Sequence, residues 1–197
     1  MSHVRVAILI SGSGSNMVEL VKSMAGDHPA RACIVVSNQP DAKGLNKAEA
    51  LGVSVLAIDH TFFDSREAFE DALHDALVDA GAEIICLAGF MRVLSPGIVR
   101  KWQGKILNIH PSILPLFKGL DTHARALEAG MAVHGCTVHI VTPELDDGPI
   151  LGQAVIPVED GDTPETLAAR LLGMEHRLYP AVLRRFAAGD RRKLALM

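Results

Sequence analysis

The sequence predicts an α/β fold: a single domain on an open, mostly parallel sheet with helices on both faces, completed by a C-terminal strand pair and a long helix. Three observations carry this. Short apolar runs alternate with segments of helical periodicity through most of the chain, and strand–helix–strand repetition implies right-handed crossovers in a parallel sheet. The runs are apolar at consecutive positions, as strands covered on both faces are. The longest, Ile84 to Met91, spans about eight residues and ends at Arg92, where a helical membrane span needs roughly 20. The mean hydropathy of +0.24 therefore reflects buried strands.

The elements follow in order. Val4 to Ile10 reads as the first strand and meets Ser11-Gly12-Ser13-Gly14-Ser15-Asn16, after which Met17, Leu20, Val21 and Met24 mark a helix. Ala32 to Val36 is a second strand, Leu45 to Leu51 a helix stopped by Gly52, and Val53 to Ile58 a third strand. Ser65 to Ala80 carries Phe69, Leu73, Ala76 and Leu77 at helical spacing; Ile84 to Ala88 and Ile106 to Ile109 are the fourth and fifth strands. A Pro-rich loop and a short helix, His123 to Ala129, then lead to strands Cys136 to Val141 and Ile150 to Val158. The last helix begins at Thr163-Pro164-Glu165, with Thr as N-cap and Pro at the first helical position, and runs to about Ala187. No repeat or linker marks a second domain.

Composition narrows the function. A chain of 197 residues suits one domain. Met1-Ser2-His3-Val4-Arg5-Val6 lacks the pattern of a signal peptide, and Cys33, Cys86 and Cys136 each sit in an apolar run, so reduced thiols and a cytoplasmic location are expected. A net charge of −4 offers no basic footprint for nucleic acid. Arg191-Arg192-Lys193 reads as a solvated tail.

Three segments can carry chemistry. Ser11–Asn16 lies between strand and helix, where exposed amides and the helix N-terminus favour an anion; the plainer reading is an ordinary glycine-bearing turn. It lacks the Gly-Lys-Ser/Thr of a Walker loop, and Met17 stands where a dinucleotide fingerprint needs glycine, which favours a phosphate monoester. Asn108 and His110 close the fifth strand, on the same side and at the carboxyl edge where ligands bind. Asn offers a donor to a developing oxyanion and His exchanges protons near neutral pH; alternatively both merely satisfy loop backbone. Asp146 and Asp147 precede Gly148-Pro149, a turn that follows the strand bearing His139; Asp146 is placed to orient His110, and Asp147 to serve the turn. His110, His123, His134 and His139 lack metal-ligand spacing, so no metal is expected, and no GxSxG elbow supplies a nucleophilic serine.

Together with Leu87-Ala88-Gly89-Phe90-Met91-Arg92-Val93-Leu94, Asn108-Ile109-His110-Pro111-Ser112 and His134-Gly135-Cys136-Thr137-Val138-His139, these segments occur in an order that resembles the phosphoribosylglycinamide formyltransferases. These are folate-dependent enzymes of purine biosynthesis with a Rossmann-type fold. The resemblance covers nearly the whole chain. It implies transfer of the formyl group of 10-formyltetrahydrofolate to the amine of phosphoribosylglycinamide. It implies that Gly14, Ser15 and Asn16 hold the phosphate and that Gly89, Pro111 and Glu175 border the same substrate. Arg66, Met91, Arg92, Val93, Leu94 and Asn108 fall on the folate side, the apolar ones walling the flat ring and an arginine meeting charge. Asn108 and protonated His110 would stabilise the tetrahedral oxyanion, with Asp146 keeping His110 charged.

On this likeness residues 1–110 form the phosphate-substrate half and 111–197 the folate-side and catalytic half. The chain is expected to act on small molecules as monomer or homodimer, away from nucleic acid and membrane. It departs from the family at Asp121, where many members carry histidine, and at the C-terminus, where a final strand is expected to be missing. Formyltetrahydrofolate deformylase is the nearest rival, but it usually carries an N-terminal domain for which a first strand at Val4 leaves no room. Methionyl-tRNA formyltransferase would need a further domain and a basic surface. A non-catalytic sensor on the same fold would have no use for Asn108, His110 and Asp146.

Overall fold

The computed structural model describes residues 3–197. Its strands are β1 (Val4–Ile10), β2 (Ala30–Ser37), β3 (Val55–Ala57), β4 (Ile84–Leu87), β5 (Ile106–His110), β6 (Val133–Ile140), β7 (Ile150–Pro157) and β8 (Leu194–Leu196). Its helices are α1 (Ser15–Ser23), α2 (Lys43–Ala50), α3 (Arg66–Asp79), α4 (Pro96–Lys101), α5 (Thr122–Glu128) and α6 (Pro164–Ala187). The strands form one sheet in the order β3-β2-β1-β4-β5-β6-β7-β8. By internal contacts the chain divides into two compact units, residues 1–107 and Asn108–Met197.

In the first unit β1 pairs in parallel with β2 on one side and β4 on the other, and β2 pairs in parallel with β3. Val6 to Ile10 are 0% exposed at five consecutive positions, which requires cover on both faces of the sheet. The chain leaves β1 toward β2 and later returns to β1's other side as β4. This is the topological switch point of an open α/β sheet, and the crevice beyond the carboxyl ends of β1 and β4 is where such sheets bind ligands.

In the second unit β6 and β7 form an antiparallel pair whose register shifts between Val138 and His139. α6 packs on both strands. Thr163 caps it in a capping box with Thr166, and Leu167, Leu171, Met174, Leu178 and Val182 form its buried stripe at helical spacing. Each fully buried side chain of this kind contributes roughly 1.5–3 kcal/mol, so the helix is held by its apolar face.

Two expectations are corrected. The C-terminus does carry a final strand: β8 pairs in parallel with β7, Gly152 opposite Leu194. The preceding basic run is pinned rather than trailing. The Arg191 guanidinium lies 3.4 Å over the Phe186 ring and Arg192 pairs with Asp190. α4 starts behind Ser95 as N-cap, with Pro96 at the first helical position. Among the described residues no helix is long and apolar enough to cross a membrane.

Candidate active site

In the first unit the Ser11–Asn16 loop leaves β1 at the switch point. Gly14 holds the N-cap position of α1 at φ 67°, and a Cβ there would stand 2.9 Å from Gly44 Cα, so glycine is required twice over. α2 ties the loop from behind: the Gly44 N–H donates to the Gly12 carbonyl (3.0 Å) and Lys47 Nζ donates to the Ser13 carbonyl (2.9 Å). A trans peptide points its N–H opposite its C=O, so these ties turn the amides of Ser13 and Gly14 away from α2. With Ala88, Gly89 and Met91 the loop lines a cavity of about 260 Å³. Open amides at the start of a helix suit an anion.

Ser11 links this loop to residues 89–95. Its N–H donates to the Gly89 carbonyl (3.0 Å), and its Oγ accepts from the Met91 N–H (2.8 Å) while donating to Asn38 Oδ1 (2.5 Å). At the far end the buried Glu70 of α3 accepts from the Ser95 N–H (2.7 Å) and the Ser95 hydroxyl. Pinned at both ends, the segment leaves Met91 72% and Val93 61% exposed. The Arg92 guanidinium lies 5.3 Å over the Phe69 ring. Two large apolar side chains held open beside a cation fit a flat aromatic ligand with an anionic tail.

In the second unit His110 and Asp146 face each other, Nδ1 to Oδ2, at 3.4 Å, with side chains 8% and 9% exposed. The other ring nitrogen of His110, Nε2, lies 3.0 Å from the Phe117 carbonyl. Nδ1 thus faces a carboxylate oxygen and Nε2 a backbone carbonyl oxygen. Asp146 is fixed in turn, its Oδ2 accepting from the Gly119 N–H at 2.9 Å. His139 completes the group. Its Nδ1 lies 3.1 Å from the Ile140 carbonyl, so Nδ1 carries the proton and Nε2 accepts from Asn108 Nδ2 at 3.2 Å. Burial, first among its causes, lowers the His139 pKa, and the neutral ring leaves Asn108 one amide N–H and its oxygen for a ligand.

Phe117 (φ 54°), Asp121 (φ 56°) and Asp146 (φ 48°) all sit in the left-handed region. Each costs on the order of 1 kcal/mol or more, and such strain persists only where surrounding bonds over-determine it. A buried brace supplies such bonds in the segment that leads to Phe117. Thr137 Oγ1 donates to the Ser112 carbonyl (2.7 Å) and accepts from the Leu114 N–H (3.1 Å). Gln153 Nε2 on β7 reaches the Leu114 carbonyl (2.9 Å) and Thr137 Oγ1 (3.1 Å), and Ser112 Oγ donates to the Leu116 carbonyl (2.7 Å). This holds the segment that delivers the Phe117 carbonyl to His110. Gln153→Ala is expected to lower kcat by roughly 10-fold with a smaller change in KM, since a misplaced ring costs rate more than affinity; steady-state kinetics on the folded variant check it.

The formyl transferase family matches residues 4–183. The chain belongs to that family. The phosphoribosylglycinamide formyltransferase of Escherichia coli (strain K12) is 42% identical over 189 residues, 94% of this chain and 88% of that protein. The trifunctional purine biosynthetic protein adenosine-3 of Gallus gallus is 49% identical over 95% of this chain, which spans only 19% of that relative's length. Among solved structures, phosphoribosylglycinamide formyltransferase from Brucella melitensis is 54% identical with a TM-score of 0.91, covering 95% of this chain and 97% of that one. Glycinamide ribonucleotide transformylase 1 from Symbiobacterium toebii is 43% identical with a TM-score of 0.92, covering 97% and 92%.

Within this formyl transferase chain the structure brings Asn108, His110 and Asp146 into one cluster, and Gly14, Ser15, Asn16 and Gly89 around one cavity. Pro111 follows His110 directly. Glu175 lies half-buried on α6, close enough to Cys136 to raise that thiol's pKa second to burial. Arg66 opens α3, exposed, behind the Ser65 cap. Of the residues on the folate side, Leu94 is 8% exposed, next to Val93 at 61%. Asp147 pairs with Lys118 at the surface, as its turn role suggests. Among the described residues no group of three or more potential metal ligands stands together.

Sequence reasoning passed over Thr137, Gln153, Phe117 and Gly119. The last two act through backbone atoms that no side chain advertises; Gln153 needed the β6–β7 register, which sets it opposite Thr137. His134 was weighed only as a metal ligand. It is 1% exposed, lies edge-on to His123 at 5.0 Å, and hydrogen-bonds the Pro111 backbone. Burial, and then the neighbouring His123, pull its pKa down to about 4. A base depressed in the folded state adds stability above its unfolded value near 6.5, and that contribution is lost as pH falls toward 4. It amounts to on the order of 2–3 kcal/mol. Denaturant unfolding at pH 7 and pH 5 should show a smaller acid loss for His134→Gln than for the parent.

Proposed function

We propose that this chain is a phosphoribosylglycinamide formyltransferase that carries the formyl group of 10-formyltetrahydrofolate to the amine of 5-phosphoribosylglycinamide in purine biosynthesis. The observation that supports this most is the buried Asn108–His139–Asp146–His110 cluster in a chain of the formyl transferase family. The whole of residues 1–197 works as one formyltransferase domain, with the phosphate loop and the catalytic cluster serving a single reaction. Gly14, Ser15 and Asn16 take the phosphate, with Gly89, Pro111 and Glu175 beside the rest of that substrate. Met91, Arg92, Val93, Leu94, Asn108 and Arg66 take the folate.

The donor, when bound, supplies an activated formyl carbon. The chain's own groups then act on the charge that develops as the amine adds. The second amide N–H of Asn108 donates to the oxyanion and the cationic ring of His110 stabilises it by its charge, and preorganised groups of this kind act strongly in a dry site. Asp146 offsets the imidazolium charge and keeps the ring in plane. The proton that the attacking amine sheds is relayed through water to the departing folate nitrogen, and tetrahydrofolate leaves as its bond to the formyl carbon breaks. The protein works on small molecules in the cytoplasm, away from nucleic acid and membrane, as monomer or homodimer.

The test is a spectrophotometric assay of tetrahydrofolate formation, run with and without glycinamide ribonucleotide. Product that appears only with the amine is expected. Amine-independent turnover would mark a deformylase, and tight binding of both ligands without turnover would mark a sensor.

A further inference from the structure

The cavity beside α1 presents amides, hydroxyls and one side-chain amide, but its lining of Ser11–Asn16, Ala88, Gly89 and Met91 holds no cationic side chain. A phosphate monoester carries close to two negative charges at neutral pH. Dipoles alone would have to offset them. Immediately behind the loop, on α2, stands Lys47. Its Nζ is 2.9 Å from the Ser13 carbonyl, its side chain is exposed, and among the described residues no carboxylate pairs with it. An ammonium has three donors, and the Ser13 carbonyl uses one.

We propose that Lys47 is the positive charge of the phosphate subsite and also the residue that sets the loop's amides. The inference rests on reading Ser11–Asn16 as the phosphate site. Its two actions share one contact. By holding the Ser13 carbonyl toward α2, Lys47 turns the Gly14 amide toward the cavity, alongside the Ser13 amide set by Gly44. Its charge remains one peptide unit from those amides, near enough to attract a dianion and open enough to be screened by salt. Lysine suits this place because it acts as a point charge and needs no planar fork of donors. The consequence is selectivity: the chain should favour a phosphorylated amine over its dephosphorylated counterpart by more than its hydrogen bonds alone supply.

The test compares Lys47→Met, Lys47→Gln and Lys47→Arg with the parent. Gln can still donate toward the Ser13 carbonyl but carries no charge; Met removes both. The readouts are KM for phosphoribosylglycinamide and the inhibition constant of inorganic phosphate, at low and at high salt. At low salt Lys47→Met is expected to raise both by about 10-fold, Lys47→Gln to raise them by less, and Lys47→Arg to stay near the parent. kcat and the KM for the folate should move far less, and the gaps should shrink in high salt. Values for Lys47→Met within about twofold of the parent would overturn the inference while leaving the loop as the phosphate site, and Lys47→Gln behaving as the parent would overturn its charge role. Phosphate that fails to compete in the parent protein would instead remove the phosphate-site reading on which the inference stands.

Discussion

Asp146→Asn is expected to lower turnover by about 10³-fold while the protein remains folded. The substitution keeps shape and changes charge. In the parent, Oδ2 accepts from the Gly119 N–H at 2.9 Å and faces His110 Nδ1 at 3.4 Å, so one carboxylate both pins the 117–121 turn and offsets an imidazolium. An asparagine oxygen can keep the Gly119 bond, but it cannot balance a cation in a pocket where the paired side chains are 8% and 9% exposed. The ring then loses the carboxylate that faces its Nδ1, and the charge that develops on the reacting oxygen loses its compensation. Single-turnover formyl transfer, followed with unchanged circular dichroism, checks the claim; a loss below about 10-fold would mean the carboxylate is structural.

Asn108→Ala should cost about 10²- to 10³-fold in kcat with little change in either KM, because its free amide N–H is aimed at charge that exists only as the amine adds. The observation behind this is His139. Its Nδ1 proton is committed to the Ile140 carbonyl, so its Nε2 can only accept, and that fixes which way the Asn108 amide lies. Sequence alone leaves His139 open between supporting its strand and contacting a candidate catalytic side chain. In the structure it is 2% exposed on β6 and hydrogen-bonds the Asn108 amide. Steady-state kinetics with both substrates varied separates the expected kcat loss from a binding defect.

Much of the fold was legible because local chemistry and global packing agree. β1 spans the expected Val4–Ile10, and α6 begins behind the expected Thr163 cap and ends at the expected Ala187. The other strands moved by one to three residues at their ends, where hydrogen bonding to neighbours and not apolarity decides the boundary. β8 was illegible: three residues after a basic run have no periodicity of their own, and only pairing with β7 makes them a strand. The candidate site divides the same way. Asn108, His110 and Asp146, which the structure brings into one cluster, were legible as candidates by residue type and position. The Phe117 carbonyl, the Gly119 amide and the Gln153 reach across β6 depend on backbone course and register, which no residue type encodes.

Whether His110 and Asp146 act as one unit is decided by single-turnover formyl transfer rates of His110→Ala, Asp146→Asn and the double variant. Groups that work as a unit lose nearly everything with the first substitution, so the double variant should fall within about threefold of the slower single variant. If the two losses multiply, the imidazole and the carboxylate act independently, and the 3.4 Å pairing at the end of β5 is not the seat of the chemistry.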